Sequence, residues 1–208
     1  MLPLLSTAYL PPIPYIAACI RSGNIILEKH EHYVKQTIRN RAVIYGANGI
    51  LPLIIPVQHD ELFNKPVHEV RVSNDSPWQK IHWRSIVSAY RNSAFFEYFE
   101  DEFGAFYREK PGTLYDFNLG LMNVIFRSLG ADVNITHTSS YQKDVEGVND
   151  LRREFHSYKQ LCAHIETPEN RYRQVFSDRF GFIPHLSILD LLFNEGRKSV
   201  EYLLSNYQ

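Results

Sequence analysis

Apolar residues fall along this chain in two rhythms, short unbroken runs and helical stripes, and their order predicts the architecture. Leu4 to Leu10 reads as a buried strand, Pro11 to Pro14 as a rigid turn, and Ile13 to Arg21 as a helix stopped by Ser22-Gly23. Ile25 to Glu28 is a second strand. Strand, helix and strand in so short a span form the minimal crossover of a parallel sheet, where ligands gather at the carboxyl ends of strands. That edge would hold Tyr9 to Tyr15 and Lys29 to Lys35.

Ile38 to Tyr45 and Ile50 to Val57 flank Gly-Ala-Asn-Gly and predict a β-hairpin, and His68 to Val72 reads as a further short strand after the loop Asn64-Lys65-Pro66. From Trp78 the period changes. Trp83, Ile86, Val87, Tyr90 and Ala94 form one helical stripe, Lys80, Arg84, Ser88 and Arg91 another face, with Ser76 as N-cap before Pro77. Helices are expected over Phe95 to Tyr107, Leu114 to Leu129 with Thr113 and Gly130 as caps, and Asn149 to Cys162. Two short ones follow near Ile188 to Asn194 and Lys198 to Ser205, and Val133 to Thr138 is strand-like. The reading is an α/β single domain over residues 1–208. Its sheet is mixed and partly parallel, with a β-hairpin and flanking helices, and its second half is rich in helix.

Composition narrows the function classes. With 22 basic and 23 acidic residues the chain is close to neutral, which argues against binding a DNA duplex. The apolar N-terminus is broken by prolines and lacks a basic leader, so neither a signal peptide nor a membrane span is expected, and the protein reads as cytoplasmic. Cys19 and Cys162 read as buried core thiols, with no disulfide framework and no four-ligand zinc pattern.

Candidate chemistry gathers in Lys29 to Arg41, which holds His30, His32, Tyr33, Lys35, Arg39, Asn40 and Arg41. His30 and His32 would share a face of an extended segment, yet the further ligands a metal needs are candidates only by proximity, at His59, Asp60 or His68. No metal is assigned. Arginine forks match phosphate or carboxylate, which makes anion binding the functional reading, and a solvated basic strand the structural one. On the helix from Trp78, His82 is a general acid or base or else a core histidine, and Arg84 adds a cation. Glu97, Glu100, Asp101 and Glu102 suit a solvated helix face. No Ser-His-Asp arrangement, phosphate loop or dinucleotide fingerprint is present. No motif specifies a cofactor or an oligomeric state.

Four blocks taken together, YLPPIPYIA, HEHYVKQTIRNR with GANGILPLIIPV, WQKIHWRSIVSAYRNSAFFEYFEDEF and YRQVFSDRFGFIPHLSILDLLFNEG, resemble the WbqC-like protein family in order and spacing. Where many members carry an acidic pair and a glutamine, this chain has Lys29, His30, Glu31 and His32. The positions that carry over are Tyr9, Pro11, Tyr33, Lys35, Asn40, Arg41, Trp78, His82, Trp83, Tyr90, Asn118, Gln174, Phe176, Ser187 and Asp190. Of these, Ser187 with Asp190 reads as a capping pair. The resemblance implies a transferase of surface-polysaccharide (O-antigen-type) biosynthesis, including transfer of glycine to a sugar.

The resulting expectation is a cleft between the proline turn, the Lys29 to Arg41 block and the helix from Trp78. It would hold an anionic small molecule or activated sugar. His32 or His82 handles the proton, Lys35, Arg39, Arg41 and Arg84 hold the anion, and Tyr9, Tyr33 and Asn40 orient the acceptor. The alternative is a non-catalytic binding or assembly protein using the same basic and aromatic surface.

Overall fold

The computed structural model describes residues 1–58 and 65–207. Strand β1 (Leu2–Ser6), helix α1 (Ile13–Ser22) and strand β2 (Asn24–Glu28) form the expected parallel crossover, with Leu4 opposite Ile26 and Ser6 opposite Glu28. Pro12 and Pro14 start α1, and Gly23, at φ +66°, ends it and turns the chain straight into β2. The predicted first strand stops earlier than its apolar run suggests. After Ser6 the chain leaves the sheet and passes through Leu10 at φ +39°, so Tyr9 points into the core and its N–H bonds Ile38 O at 2.9 Å.

Strands β3 (Arg41–Gly46) and β4 (Gly49–Ile54) pair antiparallel as a separate hairpin. His68 to Val72 is not a strand. Val67–Glu69 is a 3-10 turn, and only isolated bridges follow, Arg71 to Thr113 and Val72 to Val57. His59, Asp60 and Asn64 lie outside the described residues.

Helices α2 (Trp78–Tyr90), α3 (Phe96–Phe106) and α4 (Leu114–Leu129) follow, and α4 is capped by Thr113 and Gly130 as expected. Ser76 does not cap α2, since Pro77 occupies that position without a side-chain bond. The buried face of α2 is Trp78, His82, Ile86, Ala89 and Tyr90, while Trp83 and Val87 are half-buried and Ala94 is exposed.

Strand β5 (Asn134–His137) joins β2, and the sheet order is β5-β2-β1-β6, all parallel. Its fourth member corrects the sequence reading. Val148–Asp150, of which Asn149 and Asp150 were expected to begin a helix, is strand β6, paired with β1 through Leu2 and Val148. The open edge of β1 supplies backbone partners that a local pattern cannot reveal, and only Tyr158–His164 is helical there, as α5, capped by Ser157. Cys162 on α5 is exposed rather than buried, and Cys19 is buried. The chain ends with α6 (Ser177–Phe180), α7 (Ile188–Glu195) and α8 (Ser199–Asn206). No helix among the described residues is long and apolar enough to cross a membrane.

One apolar core runs through sheet, hairpin and helices. Phe193 of α7 is fully buried, with the rings of Tyr90, Phe96, Phe99 and Phe103 at 5.3–6.4 Å. Phe193→Ala is expected to cost about 3–5 kcal/mol of unfolding free energy, from lost burial and an unfilled cavity. Urea denaturation measures it as a lower midpoint with an unchanged slope.

Candidate active site at the carboxyl edge of the sheet

Every strand of the parallel sheet ends on a polar residue. β1 ends on Ser6 and continues to Thr7, β2 ends on Glu28, β5 on His137 followed by Thr138, and β6 on Asp150. Because all four strands run the same way, these residues meet at one edge.

Glu28 is the centre of that edge. Its side chain is wholly buried, and Oε1 accepts from the backbone N–H of His30 (2.6 Å) and Glu31 (3.2 Å) and from the Thr138 hydroxyl (2.8 Å). Arg152 Nη1 reaches Oε2 at 3.4 Å, while its other donors are tied to Asp150 and to the carbonyls of Gln142 and Lys143. Hydrogen bonds from Arg152 hold the Asp150 carboxyl below its usual range.

A second fork stands beside the first. Arg39, buried, donates from Nε and Nη2 to both oxygens of Glu31 (2.8 and 2.6 Å) and from Nη2 to Ser6 Oγ (2.8 Å). A buried pair of this kind is costly to break, about 3–5 kcal/mol, because the remaining charge is stranded. Arg39 Nη1 makes no hydrogen bond, and neither do Thr7 Oγ1 and His30 Nε2, although all three atoms are buried.

Imidazoles complete the edge. His30 packs edge-on against His68, with centroids 4.9 Å apart, and His68 Nδ1 lies 2.6 Å from Lys29 O. His137 Nδ1 lies 2.8 Å from the Tyr115 hydroxyl, and burial and the Lys29 charge lower its pKa. Burial beside Arg39 lowers that of His156. The lowered pKa values of His137 and His156 favour neutral rings able to accept a proton. No group of three or more His, Cys, Asp or Glu among the described residues is arranged to hold a metal.

The residues singled out from the sequence divide between several places. Arg39 belongs to the edge, and His32 and Lys35 are exposed on the loop that leads to it. Tyr33 is buried there, its hydroxyl pKa pushed up to about 12 by burial. Asn40 is structural in its contacts, donating from Nδ2 to Ile55 O at 2.9 Å. Arg41 starts β3, with Nε buried and unbonded, and Arg84 is exposed on α2. Tyr9 and His82 lie in the core, where the Tyr9 hydroxyl is 2.9 Å from His82 Nδ1 and 2.8 Å from the Tyr107 hydroxyl. Burial lowers the His82 pKa to about 4.

At the proline turn a cavity of about 10 Å³ is bordered by Leu10, Pro12, Arg41 and His185, with room for one water and no residue of α2 on its walls. Ser187 caps α7 by accepting from Leu189 N–H, but Asp190 turns away from it. The Asp190 carboxylate is buried against Tyr172 (2.6 Å) and Gln174 (2.9 Å), and burial raises its pKa to about 6.

Glu28, Glu31, Thr7, His137 and Arg152 were not singled out from the sequence. The available signal was the polar residue that closes each short apolar run, Ser6-Thr7 after Leu4-Leu5 and Glu28 after Ile25 to Leu27.

The geometry can be set beside known proteins. The model of the WbqC-like protein family matches residues 7–164. The chain belongs to the WbqC-like protein family. The matched segment runs from Thr7 to the end of α5 and includes Glu28, Glu31, Arg39 and Arg152. This WbqC-like chain is also 24% identical over 226 residues to an uncharacterized protein of Mycobacterium tuberculosis, Rv1507c, with 96% of each chain covered. No solved structure matches it.

The placement of His82 carries a pH signature. A buried imidazole whose pKa is lowered from 6.5 to about 4 stays neutral while the unfolded chain takes up a proton. Its contribution to stability is therefore fully present above pH 6.5 and is lost as the pH falls toward 4, on the order of 3 kcal/mol across the window. Urea melts from pH 7 to pH 4 should show this acid-side loss in the wild type and a shallower one in His82→Gln, the difference between the two isolating this residue from Asp190.

Proposed function

We propose that this WbqC-like protein is a group transferase. It binds an anionic, activated donor at the carboxyl edge of its parallel sheet and passes a group, aminoacyl or glycyl in the reading its family suggests, to a sugar in surface-polysaccharide biosynthesis. The observation that carries the reading is Arg39. It is a buried guanidinium, fixed on one side by Glu31 and Ser6, whose Nη1 has no hydrogen-bond partner among the described residues. A fork held in this way is pre-organised for a phosphate or carboxylate oxygen, and it loses little side-chain freedom when the ligand arrives. Lys29 adds positive charge at the same edge, and Lys35 and His32 stand exposed on the approach to it.

The proton is assigned to the edge histidines. His82 sits in the core against Tyr9, whereas His30 has a free Nε2 and His137 is oriented by Tyr115. Unpaired thiols at Cys19 and Cys162 suit a reducing compartment, in keeping with a cytoplasmic donor. A second reading, a non-catalytic binding protein, draws on exposed Ile81, Phe95 and Tyr98 close to the cations Arg84 and Arg91 in sequence.

Thermal-shift measurements against nucleotide sugars, acyl-CoA compounds and aminoacyl-adenylate analogues test the proposal. One donor class at about 100 Kd should raise Tm by roughly 5–10 °C. Relative to each variant's own unliganded Tm, the shift should vanish in Arg39→Lys and shrink in Lys35→Ala. No shift with any of these anions, together with recovery of a stable protein partner, moves the assignment to the binding protein.

A further inference from the structure

An open groove of about 1040 Å³ is lined by none of the residues that build the carboxyl edge. It is bounded by the start of β1, by α1, by Asn149 of β6 and the segment after it, by the loop after α5 and by the end of α8. Its walls are braced by long-range bonds. The Tyr202 hydroxyl donates to Asn170 O at 3.0 Å, and His185 Nε2 lies 3.1 Å from Ile165 O. The Arg21 guanidinium donates to the carbonyls of Leu204 (2.8 Å) and Tyr207. A groove braced from several directions is pre-formed, and its volume is at the upper end of the range of small-molecule sites.

We propose that this groove binds a neutral, hydroxyl-rich ligand, a short oligosaccharide segment. Charge disfavours the anions assigned to the other edge. Glu154, Glu166 and Glu169 stand on the walls and outnumber the cations there, Arg21, whose Nη2 is spent on backbone carbonyls, and the Met1 amino end. Shape and polarity exclude an apolar ligand, because exposed amides and carboxylates line an open trough. What remains is a ligand whose groups both donate and accept. The amides of Asn149 and Asn170 offer both functions and the glutamates accept, which is the complement that adjacent sugar hydroxyls require. Asn206 Nδ2 is held by Tyr202 O (2.9 Å), leaving its carbonyl oxygen as a further acceptor.

This inference does not depend on the transferase reading, because the groove is assayed with no donor present. The full chain, fluorescently labelled, is applied to an array of neutral and charged oligosaccharides. Neutral glycans should retain it, and retention should fall at least tenfold in Asn170→Ala and in Glu166→Gln. Both residues are exposed, so each variant should melt at the wild-type temperature. Retention by no glycan overturns the inference, and so does retention that neither substitution weakens. Binding to immobilised spermine in place of glycans overturns it in favour of a cation site.

Discussion

Glu28 places a carboxylate wholly inside the protein, and the architecture around it follows from having to satisfy that charge. An unpaired buried carboxylate is far too costly to keep ionised, so its oxygens must be met by donors that the fold brings to them. Two come from the backbone of the turn that follows β2, one from Thr138 at the end of β5, and one from Arg152 just beyond β6. One side chain thus ties together three strands that are distant in sequence. Only a parallel arrangement lets it do so, because only then do the ends of β2, β5 and β6 fall side by side.

The loop from Lys29 to Asn40 is held just as firmly. Tyr33 N–H bonds Lys65 O, Ile38 N–H bonds His156 O, and Asn118 Nδ2 donates to Arg39 O. With the backbone fixed on both sides, Arg39 has no freedom to leave Glu31. The edge therefore combines near-complete pairing of its strong charges with a small residue of unmet donors and neutral imidazoles. Such a balance suits a site that must be rigid before its ligand arrives. The groove beside β6 differs in chemistry, with exposed carboxylates and amides around a braced trough.

Much of this was legible in the sequence. The crossover β1-α1-β2, the hairpin about Ala47-Asn48 and the caps of α4 all rest on local signals: proline at a helix start, glycine where φ is positive, and apolar spacing. The Lys29 to Arg41 segment, singled out by its residue types, places Arg39 at the carboxyl edge of the sheet through its bonds to Ser6 and Glu31. The grouping of Tyr9 and His82 with that segment was harder to judge. Both are close to charged residues in sequence, yet Tyr9, His82 and Tyr107 bond one another inside the core.

What the sequence determined by itself is family, fold class and the position of helices and strands whose partners are near in the chain. Local backbone preference and side-chain period act over a few residues, and a reader of the chain sees them directly. Tertiary structure alone decided that Val148–Asp150 is a strand and that Arg152 answers Glu28 across 124 positions of chain. It also decided that Asp190 serves Tyr172 and Gln174 rather than the cap of its own helix. Each of these depends on burying or pairing a polar group against a partner that local sequence does not contain. The energy that selects the partner arises only when distant segments exclude water together.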